Sequence, residues 1–84
     1  MRRIEWKHSA VKDLRKLAPG TVPLILDAAK RLAEDPRPQG CQKLQGSEHT
    51  YRIRVGDYRI VYSAEDRILV VWIVRVGHRK DVYR

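Results

Sequence analysis

From Tyr51 onward the apolar residues repeat at every second position, and that period limits the chain to a sheet over its second half. The stretch YRIRVGDYRIVY, Tyr51 to Tyr62, reads as two strands joined at VGDY, with glycine first, the order a type II′ turn requires. A two-residue loop sets the register. Val55 pairs with Tyr58, Arg54 with Arg59, Ile53 with Ile60 and Arg52 with Val61. Tyr51, Ile53, Val55, Tyr58, Ile60 and Tyr62 then share one face, while Arg52, Arg54 and Arg59 share the other. A third strand, Arg67 to Val76, follows the turn AEDR and is apolar on both sides, the mark of an interior strand covered on both faces. The first hairpin strand, Tyr51–Val55, with arginine on one side, belongs at the sheet edge.

Before Tyr51 the period is helical. RRIEW, Arg2 to Trp6, is a short leading strand, and Ser9 can cap a helix whose apolar face is Ala10, Leu14 and Leu17. APG, Ala18 to Gly20, stops it. Thr21 then caps a second helix with a stripe of Val22, Ile25, Ala29 and Leu32, widened by Leu26 and Ala33, and EDPRPQG ends that one because neither proline can continue the ladder. The expected fold is α+β: an N-terminal strand and a helical hairpin packed on a four-stranded, largely antiparallel sheet, in a single domain over residues 1–84. Leu17 and Leu26 are assigned to core packing in preference to a partner surface.

Eighty-four residues with a net charge of +8 point to a polyanionic partner, nucleic acid first. Cys41 stands alone, so no internal disulfide forms, and no second thiol or histidine pair marks a zinc site; no metal or cofactor is expected. MRRIEWKHSA has no apolar run behind its arginines, and the longest apolar run, Ile68 to Val74, is strand-sized. A soluble, cytoplasmic protein without membrane contact is expected.

Arg54 and Arg59 face each other directly in this register, and like charges so placed destabilise a sheet by a few tenths of a kcal/mol or more. Asp57, in the turn, offsets one of the three arginines at most. A phosphate between the guanidiniums suits their forked geometry. The tail VGHRKDVYR adds His78, Arg79, Lys80, Tyr83 and Arg84 just beyond the third strand.

KLQG (Lys43 to Gly46), YRIRVGDYRIVY, an apolar strand and RVGHRKDVYR, in this order, resemble the RelE/ParE superfamily of bacterial toxin–antitoxin toxins, and within it the RelE branch of ribosome-dependent mRNA endonucleases. The resemblance implies cleavage of mRNA in the ribosomal A site by attack of a ribose 2′-OH on the adjacent phosphate, leaving a 2′,3′-cyclic phosphate and a 5′-OH. It carries the family's basic site residues onto Arg52, Arg54, Arg59 and Arg79, and its aromatic acid/base residue onto Tyr83. Lys43, Lys80 and Arg84 are the accompanying candidates for RNA phosphate contacts. Arginine at 52 and 54 departs from members that carry lysine there. A guanidinium stays protonated, so neither can be the base, which leaves Tyr83 first and His78 second.

The resemblance also implies a cognate antitoxin that covers the arginines with acidic residues, in a toxin–antitoxin hetero-oligomer, besides mRNA and the ribosome as partners. Two other readings stand: a ParE-like poison of DNA gyrase, and a non-catalytic RNA-binding module. The second lacks a visible base-stacking platform, since Tyr51, Tyr58 and Tyr62 all point to the core face.

Overall fold

The computed structural model describes residues 1–78. Its elements are β1 (Arg3–Trp6), α1 (His8–Arg15), α2 (Val22–Arg31), β2 (Gln42–Lys43), β3 (Thr50–Val55), β4 (Tyr58–Ala64) and β5 (Val70–His78). The strands form one sheet in the order β1-β5-β4-β3-β2; β1 runs parallel to β5 and every other pairing is antiparallel. The α+β class and the helical hairpin are as the sequence indicates. A fifth strand, β2, adds to the four expected. It covers β3 only at Tyr51 and Arg52, so β3 is not wholly an edge.

The hairpin pairs as its loop length dictates, Val55 with Tyr58, Arg54 with Arg59 and Arg52 with Val61. Gly56 takes φ 60°, and among the described residues only glycines have positive φ, which fits the type II′ turn and excludes type I′, where Asp57 would also turn left-handed. Both helices lie on the Tyr58–Ile60–Tyr62 side of the sheet. There Ala10, Ile25, Ala28, Ala29 and Leu32 meet Ile60, Tyr62, Val71, Ile73 and Val76 in the core. Leu26 falls outside that stripe and is exposed.

Of the two expected cap positions, the one at Thr21 holds and the one at Ser9 does not. Lys7, not Ser9, occupies the α1 N-cap, and Thr21 at the start of α2 makes no side-chain cap bond. The Ser9 hydroxyl instead donates to the Val74 carbonyl at 2.7 Å. The reason lies in the sheet. β1 pairs with β5 only from Val70 to Ile73, so the rest of β5 would have an open edge. Helix α1 runs along that edge and its side chains complete the bonding: Ser9 serves Val74, and the Asp13 carboxylate accepts from the Val76 N–H at 2.9 Å and from Arg75 Nε at 2.8 Å. This bond pattern locks the helical layer to the sheet.

Tyr62, fully buried, performs a similar task for the loop after α2. Its hydroxyl donates to the Pro36 carbonyl at 2.6 Å, and its ring stacks on Tyr51 at 5.8 Å. Burial, reinforced by Cys41 beside the hydroxyl, pushes the phenol well above its ordinary range. A raised folded-state value means the unfolded chain ionises first, near pH ~10, so this contribution is whole below that pH and is lost as pH climbs beyond it. Tyr62→Phe is therefore expected to cost about 1 kcal/mol at pH 8. It should also flatten the alkaline loss of stability, which urea titrations from pH 8 to 11 would measure.

Candidate active site

The site is built from the hairpin outward. In antiparallel pairs, opposed residues point to one side, so the registers place Gln42, Arg52, Val61 and Arg75 in one row on the sheet face opposite α1 and α2. Arg54, Arg59 and Gly77 make the next row. Gly40, Gln42, Arg52, Arg54 and Arg59 line a pocket of about 310 Å³. The three arginines singled out from the sequence thus converge on one concavity. Arg52 donates to Gln42 Oε1, and Arg54 Nε donates to the Gly56 carbonyl at 3.0 Å, so both guanidiniums are oriented by neighbours of the hairpin. Val61, between Arg52 and Arg75 in its row, is buried, and the long aliphatic stems of its arginine neighbours suit the task of covering it.

Sequence reasoning missed Gln42, Gly40 and Arg75. The first two belong to the segment between α2 and β3, which has no apolar alternation and is brought to the pocket because Pro36 is tied to Tyr62 and Gly40 turns at φ 91°. Arg75 is hidden by a β-bulge. Val61 pairs with Arg75 and Tyr62 with Ile73, so Val74 is an extra residue, and the faces of β5 exchange beyond it. Arg75 therefore stands on the open face, where its contact with Asp13 raises its already high pKa and fixes its charge.

Two candidates stand elsewhere. Lys43 pairs with Tyr51 and so points to the helix side, at the exposed sheet rim; Gln42 takes the place beside Arg52. His78 pairs with Tyr58 and packs edge-on against that ring at 5.7 Å, also on the helix side. The face separates His78 from the arginines, whose row ends at Gly77. Arg79, Lys80, Tyr83 and Arg84 lie outside the described residues. The expectation that β5 is covered on both faces is corrected too. Trp72, on the arginine side, is 36% exposed, since neither of the described helices packs there. Among the described residues no cluster of His, Cys, Asp or Glu could hold a metal ion, and no helix is long and apolar enough to cross a membrane.

A family model for the ParE toxin of the type II toxin–antitoxin system parDE matches residues 4–83. The chain belongs to the RelE/ParE toxin superfamily. It is similar to the toxin RelG of Mycobacterium tuberculosis, 32% identical over 96% of this chain and 94% of that protein. It is also similar to the mRNA interferase toxin RelE of Escherichia coli K12, 30% identical over 95% of this chain and 87% of the relative. The crystal structure of the intact E. coli RelBE toxin–antitoxin complex contains a chain that superposes with TM-score 0.79 at 28% identity, covering 93% of this chain and 96% of that one. These are RelE/ParE toxins by name, and the sheet, helical hairpin and open arginine face are this member's version of the fold.

Proposed function

We propose that this RelE/ParE-superfamily toxin is a ribosome-dependent mRNA endonuclease that cleaves codons in the A site and so stops translation in the cytoplasm. The observation that carries the reading is the pocket where Arg52, Arg54 and Arg59 meet on the uncovered sheet face. In the reaction a ribose 2′-oxygen attacks the adjacent phosphorus. The bond to the 5′-oxygen breaks, and the products are a 2′,3′-cyclic phosphate and a 5′-OH. Negative charge gathers on the non-bridging oxygens, and fixed guanidiniums aimed there stabilise it before any reorganisation is needed. Arg79 joins the clamp, and Lys43, at the sheet rim, contacts flanking phosphates together with Lys80 and Arg84. The proton of the 2′-OH passes to Tyr83 as its phenolate, and a proton is returned to the departing 5′-oxygen to give the 5′-OH; His78, on the other side of the sheet, is the second choice for the base.

The arginines supply the charge neutralisation that a divalent ion would give, so the chemical step is read as metal-independent. Sulfur in place of a non-bridging oxygen at the scissile phosphate is then expected to slow cleavage, with no rescue when Mn²⁺ replaces part of the Mg²⁺ on intact ribosomes. Thiophilic rescue would put a metal at that oxygen.

The partner is a cognate antitoxin, for which the likeness to a RelBE complex is the support. A groove of about 620 Å³ floored by Leu32, Ile53 and Val55 adjoins Arg54, beside the part of β3 that β2 leaves uncovered. It suits a partner segment that carries acidic residues onto the arginines. Because the matching family model is named for ParE, poisoning of DNA gyrase is the second reading. Purified chain would in that case block supercoiling by gyrase and leave ribosome-bound mRNA intact.

A further inference from the structure

The open face continues beyond the arginines. One row past Arg52, Val61 and Arg75 stand Thr50, Ser63, Trp72 and Glu5. Trp72 is the one aromatic ring on this face among the described residues, since Trp6, Tyr51, Tyr58 and Tyr62 lie on the helix side. Its strand is held by β1 on one side and β4 on the other, so the indole has a rigid base. Its row neighbours Ser63 and Thr50 are short and leave the ring uncovered from that side. What does lie over the ring is the Lys7 ammonium, 4.3 Å from its centroid, on a flexible and exposed side chain. A structural tryptophan in a sheet this small would be expected under a helix, and this one faces outward in the row next to Arg52 and Arg75.

We infer that Trp72 is a second contact for the mRNA: a base flanking the scissile phosphate stacks on the indole while that phosphate sits in the arginine pocket. This rests on the nuclease reading above. Along β4, Arg59 and Ser63 are four residues apart, about 13 Å at the usual strand rise, which an extended strand of RNA spans within a codon. The positive charge lies at the arginine end of this path; at the far end Glu5, beside Trp72, is paired with Arg3 at 2.8 Å, and Lys7 can move from the ring to a phosphate as the base arrives. Stacking tolerates any base, so Trp72 adds affinity and placement without fixing a sequence.

Programmed ribosomes provide the test. Trp72→Leu keeps an apolar side chain of similar reach and removes the π face, whereas Trp72→Tyr keeps a ring. Both replace a partly exposed residue, and circular dichroism with thermal melting verifies the fold. Trp72→Leu is expected to raise KM about 10-fold or more with kcat nearly unchanged, and Trp72→Tyr to recover most of it. The mRNA is then made abasic at each position within the codon in turn. One abasic position should reproduce the KM of Trp72→Leu and add nothing to that variant, the signature of a coupled pair. Equal KM for Trp72→Leu and wild type, or independent effects of the two changes at every position, would overturn the inference while leaving the nuclease intact. No cleavage by wild type would instead remove the nuclease reading itself, and this inference with it.

Discussion

Arg59→Ala is expected to slow cleavage of ribosome-bound mRNA by ~10²–10³, the usual cost of removing one preorganised donor from a developing oxyanion. The same change should alter the melting temperature little. In the hairpin Arg59 stands directly opposite Arg54, an arrangement that costs a sheet a few tenths of a kcal/mol or more when both are charged. A residue kept for the fold would show the reverse, loss of stability together with any loss of rate. Arg59→Lys separates charge from geometry. Lysine restores a positive point charge without the planar fork, so partial recovery is expected, short of the wild-type rate. Full activity in Arg59→Ala would remove the phosphate-clamp role from the pocket.

Asp13→Ala is expected to be the most damaging single change to stability outside the apolar core. Asp13 is the one buried charged residue among those described, and its carboxylate holds the Val76 N–H on the part of β5 that β1 does not reach. Alanine leaves that donor buried and unsatisfied. A hydrogen bond to a charged acceptor is worth about 1.5–3 kcal/mol, and the half-exposed Arg75 contact adds less, because water screens it. A loss of about 2–3 kcal/mol lowers the melting point of a domain this size by about 10 °C or more. Asp13→Asn keeps an oxygen for Val76 and should lose about half as much. Calorimetry of the three proteins would measure both, and equal melting points for Asp13→Ala and wild type would show that the α1 edge contact carries little energy.

The hairpin was legible because two local rules agree there: alternation fixes the faces and the glycine-first turn fixes the register, so the arginine cluster followed from the sequence directly. The helices were legible from their stripes, and the start of α2 from Thr21, which holds its N-cap position, but the start of α1 was not. Ser9 has the chemistry of a cap, yet the Val74 carbonyl on an otherwise open strand edge is the acceptor its hydroxyl meets. Strand β2 is two residues long and its existence depends on the loop that Tyr62 anchors at Pro36, a contact 26 positions apart that no local pattern announces. The bulge at Val74 has no glycine or proline to mark it, and it reverses the faces of the last strand, which placed Arg75 with the arginines and His78 with Tyr58. Trp72 was misjudged for a related reason. A strand apolar on both sides normally implies two covering layers, and here the second side is open.

The decisive measurement is the fate of a defined mRNA placed on ribosomes with a known codon in the A site, with the same RNA free in solution beside it, and every cut mapped with its end groups. Cuts confined to the A-site codon, present only with ribosomes and bearing 2′,3′-cyclic phosphate and 5′-OH ends, are the expected result. Intact RNA in both reactions, or ends carrying a 5′-phosphate, would contradict a 2′-OH attack steered by the arginine pocket.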